Sequence, residues 1–71
     1  MTAYIISCET EEKVYKGYGD FDIENDDYIV CVTLSENRAK KFVEEKNERA
    51  TRIYAGGPHA EHYRYDPIDF I

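Results

Sequence analysis

The chain has little of what would break or anchor a fold. Two prolines and two cysteines stand among 71 residues. Few prolines beside 42% hydrophobic and 14% aromatic residues argue for a folded domain rather than a disordered one. No apolar run approaches the roughly 20 residues of a membrane span, and the N-terminus lacks the basic start, apolar core and small-residue cleavage site of a secretory signal. The expected compartment is therefore the cytoplasm. Two cysteines without such a signal make no disulfide framework. Cys8 and Cys31 both fall in apolar, strand-like runs and are expected to be buried free thiols. The chain forms one domain, residues 1 to 71, and a chain this short buries about 60% of its unfolded surface. A large enclosed active site is not expected.

Motifs that carry chemistry are also missing. Counted as a calcium loop from Asp20, the acids Asp22 and Glu24 fit, but Asn25 stands where the turn glycine is needed and Cys31 where the bidentate glutamate is needed. His59-Ala60-Glu61 has the spacing of a zinc deaminase motif without its Pro-Cys-x-x-Cys partner. His59 and His62 with Cys8 and Cys31 have zinc-ligand chemistry, yet the cysteines lie in separate strands rather than in one turn. Ser7, Ser35 and the cysteines have no orienting partners for nucleophilic catalysis. Gly17-Tyr18-Gly19 and Gly56-Gly57 are too short for a phosphate loop. The expectation is no enzyme, no cofactor and no metal; a metalloenzyme using His59, Glu61 and His62 is a remote alternative.

What is present reads as an α+β domain. Ala3 to Cys8 and Tyr28 to Leu34 are rich in β-branched and aromatic residues and read as strands inside a sheet. Neither alternating set of the second run is strongly polar, which predicts a central strand covered on both faces. Ser35 is a helix N-cap with Glu36 in the first turn. Ala39, Phe42, Val43, Ala50, Ile53 and Tyr54 then recur at helical spacing, with the stem of Lys46 filling the gap, until Gly56, Gly57 and Pro58 stop the helix. A last strand places Tyr63 and Tyr65 on one face and His62 and Arg64 on the other. The tail with Ile68, Phe70 and Ile71 is expected to pack on the second sheet face or on a partner. The predicted architecture is an antiparallel sheet of three or four strands with one helix across a face, in the order β-β-β-α-β.

Charge is segregated. Residues 9 to 27 hold eight acids against Lys13 and Lys16, whereas residues 35 to 54 hold four acids against six bases. A period of two puts Asp20, Asp22 and Glu24 on one strand face and Phe21 and Ile23 on the other, which predicts a half-buried strand with an exposed carboxylate row. Asn25 and Asp26 suit a tight turn into the strand at Tyr28. Such a row serves solubility, discourages edge pairing, or meets a basic partner. A net charge of −6 disfavours nucleic acid as a direct ligand.

The opening strand "AYIIS", the strand-to-helix passage "VCVTLSENRAKKFVEEKNERA" and the dense acidic segment together resemble the small accessory proteins of phages and mobile elements, anti-CRISPR and other anti-defence inhibitors among them. The resemblance covers the whole chain in profile. It implies stoichiometric inhibition in the host cytoplasm, with acids occupying a site meant for nucleic acid. The expected partner is a basic protein of a nucleic-acid-handling complex, bound through Asp20, Asp22, Glu24, Asp26 and Asp27 as charged contacts and Tyr15 and Tyr18 as aromatic anchors. The alternative is a homo-oligomeric accessory protein, such as a dimer built on the uncovered sheet face or the tail.

Overall fold

A computed structural model of the protein describes residues 1–70. It is an α+β fold: β1 (Thr2–Gly17), β2 (Asp20–Thr33) and β3 (His59–Asp69) form one antiparallel sheet, in the spatial order β2-β1-β3, with one helix, α1 (Glu36–Tyr54), between β2 and β3 in the chain. The order is thus β-β-α-β. Asp20 to Glu24 and Tyr28 to Thr33 belong to a single strand, and the expected turn at Asn25 and Asp26 is absent, since these residues pair with Glu11 and Thr10. The chain instead reverses at Tyr18 and Gly19, with φ of +54° and +80°. Positive φ at both central residues gives a hairpin turn whose twist matches the flanking strands.

The central strand is β1. It pairs with β3 from Thr2 to Glu12 and with β2 from Tyr4 to Gly17, the second ladder slipping at Ile6/Ser7 and at Tyr15/Gly17. Opposed residues share a face, so one face carries Tyr4, Ile6, Cys8 and Thr10 of β1 with Tyr63 and Tyr65 of β3. The other carries Ala3, Ile5, Ser7 and Glu9 with His62 and Arg64.

Helix α1 lies on the first face. Ser35 caps it, its Oγ accepting from the Arg38 N–H at 3.3 Å. Ala39 and Ala50 are buried, while Phe42 and Tyr54 sit half-buried with rings edge-on to Tyr63 and His59. Ile53, expected in the apolar stripe, is exposed. The buried centre is small: Ala3, Ile6, Ser7 and Cys8 of β1 with the two helix alanines.

Three further expectations are corrected. The strand at Tyr28 to Leu34 is not central but an edge, exposed on both faces. Cys31 is accordingly exposed; the buried free thiol is Cys8. The tail does not fold across the open face, because it prolongs β3: Ile68 pairs with Ala3, and the Phe70 N–H donates to the Met1 carbonyl at 2.9 Å. Ile68 and Phe70 remain partly exposed, and Ile71 lies outside the described residues.

The molecule measures 54 × 24 × 11 Å with a radius of gyration of 15.1 Å, against about 11 Å for a compact chain of this length. The excess comes from the β1–β2 hairpin, which outruns β3. At its root the Lys13 N–H donates to the Pro58 carbonyl at 2.9 Å. Beyond that point residues 13 to 23 form a two-stranded arm.

Candidate functional site

The arm and its root hold the residues that the sequence singles out. Cross-strand pairing puts Asp22 opposite Val14, Glu24 opposite Glu12 and Asp26 opposite Thr10 on the helix side of the sheet. With Asp20 at the tip they form one row of exposed carboxylates. Lys16 forms an ion pair with Asp22. Phe21 and Ile23 project on the opposite face, paired with Tyr15 and Lys13, and are exposed rather than half-buried because nothing covers that face of the arm. Lys13 Nζ stands 5.6 Å from the Phe21 ring centroid.

Asp27 does not join the row. It lies on the open face opposite Glu9, and Arg64 gathers both: its guanidinium contacts Asp27 at 2.5 Å, Glu9 at 3.6 Å and Asp66 at 3.7 Å. The Asp27 hydrogen bond holds the guanidinium in its charged form. Of the five acids, Asp20, Glu24 and Asp26 make no ion pair among the described residues.

Tyr15 and Tyr18 are both displayed, on different parts of the arm. Tyr18 is 105% exposed and holds the left-handed conformation that costs a non-glycine residue about 1–2 kcal/mol. The Gly19 N–H donates to the Tyr15 hydroxyl at 3.3 Å, which ties the Tyr15 side chain to the turn.

Behind the root, His59 is clamped. Its Nδ1 lies 2.5 Å from a Glu12 oxygen and its Nε2 3.1 Å from a Glu61 oxygen, with the Tyr54 ring edge-on at 4.6 Å. Two carboxylates on two ring nitrogens favour the imidazolium, so the Glu61 and Glu12 hydrogen bonds raise the His59 pKa above its ordinary value against a smaller opposing effect of burial. His62 lies on the other face. Among the described residues no group of three or more His, Cys, Asp or Glu side chains is gathered to hold a metal ion. No helix is long and apolar enough to cross a membrane.

The sequence reading missed Asn47. Its side-chain N–H donates to the Tyr63 carbonyl at 3.0 Å, and its Oδ1 accepts from the Tyr63 N–H at 2.7 Å. One amide thereby closes both outward backbone groups of a residue on β3, and at that point the helix caps the edge of the sheet. The signal was an amide between Val43 and Ala50 at helical spacing, inside an otherwise apolar stripe. No protein family, curated protein or solved structure matches this chain.

Proposed function

We propose that this chain is a non-enzymatic binding module that inhibits or regulates a basic, nucleic-acid-handling protein of the host cytoplasm, in the manner of the phage accessory inhibitors it resembles. The observation that carries the reading is the arm: a hairpin that leaves the sheet, exposes Asp20 and Asp22 along one side with Glu24 at its root, and sets Tyr18 at its tip. Exposed carboxylates on a projecting element raise the capture rate of a positively charged groove, and exposed tyrosines supply rigid contact area. Asp26 extends the row toward the sheet. Asp27, held by Arg64, contributes to the field more than to contact. In this reading the chain acts by occupying the site and catalyses nothing.

The test replaces Asp20, Asp22 and Glu24 by Asn, Asn and Gln. Affinity capture from host lysate identifies the partner of the wild-type chain, and association is then measured at low and high salt. The triple variant should fold as wild type but associate more slowly, with a weaker dependence on salt. A folded triple variant that retains the same partner at the same rate at every ionic strength would remove the acidic arm from the interface.

A further inference from the structure

The two edges of the sheet are treated differently. The edge of β3 is capped at its middle, where Asn47 of α1 takes both outward backbone groups of Tyr63. That of β2 is closed by nothing among the described residues: the strand is 14 residues long and exposed from Asp20 to Val32. A long open edge is a template for another strand unless charge or a covering element protects it. Its first half is so protected, by Asp20, Asp22, Glu24, Asp26 and Asp27. Its second half, Tyr28 to Leu34, carries no charge and exposes Tyr28, Ile29, Val30, Val32 and Leu34.

We infer that the uncharged half of β2 pairs antiparallel with the same segment of a second copy, giving a homodimer with a continuous six-stranded sheet. The inference does not rest on the function of the arm. Three observations select a second copy. First, a twofold axis between Val30 and Cys31 opposes Ile29 to Val32 and Tyr28 to Thr33. Ile29 and Val32 already share the open face, through their partners Ser7 and Ile5, and Tyr28 and Thr33 share the helix face, through Cys8 and Tyr4. The irregularity at Ile6/Ser7 makes this match possible, since an axis through Val30 or Cys31 itself would oppose residues of different faces.

Second, the register keeps like charges apart. The acidic halves run outward to opposite ends of the long sheet, and no acid opposes an acid, Asp27 facing Leu34. Third, just past the ladder Asp26 of one copy comes level with Ser35 of the second copy, where α1 begins. The N-terminal end of the helix dipole, which Asp26 then approaches, is positive. A net charge of −6 per chain opposes random self-association, so a charge-matched register is what a self-pairing edge requires. Both helices then lie on one side of the sheet, and an acidic arm projects at each end.

The experiment is sedimentation equilibrium of the full chain across micromolar concentrations, with chemical cross-linking at Cys31. Wild type should be dimeric, and a short bismaleimide should join the two exposed Cys31 thiols, the product vanishing in Cys31→Ser. The double variant Ile29→Lys/Val32→Lys should be monomeric while keeping its far-ultraviolet circular dichroism. Ile53→Lys, equally exposed but on the helix, should leave the dimer intact and serves as the control for added charge. A wild-type chain that stays monomeric, or a dimer that survives the double lysine variant or gives no Cys31 cross-link, overturns the proposal. A monomer that takes up a foreign extended peptide would assign the edge to another protein and overturn it equally.

Discussion

Ala3–Cys8 and Tyr28–Leu34 are two apolar runs of similar composition that lie side by side in one sheet. Ile6, on the first, is 1% exposed; Val32, on the second, is 58% exposed. The difference is one of neighbours. The first run has a strand on each side and the helix above it, whereas the second has a strand on one side and the helix only at its end. Apolar character gives a strand the capacity to be buried, and position in the sheet decides whether the chain itself supplies the cover. In this molecule the buried residues lie in β1 and α1, and the exposed apolar and acidic surface in β2 and the arm.

The sharpest way to break this contrast is to make one substitution in each region. Ile6→Ala removes buried volume beneath the helix and should cost about 2–5 kcal/mol, a large share of the roughly 4–10 kcal/mol available to a chain of this size. Ile23→Ala, at the exposed root of the arm, should cost under about 1 kcal/mol, its share of strand preference and cross-strand contact. Urea unfolding of the two variants gives both numbers. Similar losses would mean that the arm is part of the cooperative core and not a displayed element.

A smaller effect is expected at the protected edge. Asn47→Leu keeps the bulk of the helix stripe and removes both hydrogen bonds to the Tyr63 backbone, stranding a partly buried N–H and C=O. The loss should be roughly 1–3 kcal/mol. Amide exchange at Tyr63 should accelerate more than exchange at Ile6, because the helix cover of β3 is what fails. Unchanged exchange at Tyr63 would show that water or another group closes that edge as well as Asn47 does.

The class of fold was legible because its signals are local. A Ser35 cap, an apolar stripe and a Gly-Gly-Pro stop fix α1, and alternation fixes which residues of β3 face the helix. What escaped was non-local. Nothing in Tyr28–Leu34 says that its outer side has no neighbour, and Asn25-Asp26 looks like a turn until Gly17, Tyr18 and Gly19 are seen to do that work with positive φ. Of the acidic residues, the shared face of Asp20, Asp22 and Glu24 follows from a period of two. The removal of Asp27 to Arg64 does not, because it depends on β3 lying across β1 from β2. Asn47 was hidden for the same reason: its partner is a backbone group 16 residues away.

The smallest effect sits where the two regions meet. His59 joins β3 to Glu12 at the root of the arm, to Glu61 on its own strand and, through its ring, to Tyr54 of α1. Its pKa is raised in the folded chain by the Glu61 and Glu12 hydrogen bonds, from about 6.5 in the unfolded chain. A group that binds its proton more tightly when folded stabilises the fold fully below the unfolded value. That contribution is lost as the pH rises through the folded value and is gone above it. Stability should therefore decline from mildly acidic to mildly basic pH, in the opposite direction to a carboxylate held below its usual range. His59→Gln retains one neutral hydrogen bond and should flatten this slope while lowering stability at acidic pH. Thermal melts of wild type and His59→Gln over a pH series from about 5.5 to about 9 span the transition of a histidine. Parallel curves for the two chains would mean that the His59 clamp does not couple protonation to folding, and that the root of the arm is held by the Lys13 to Pro58 hydrogen bond and the β1–β3 ladder alone.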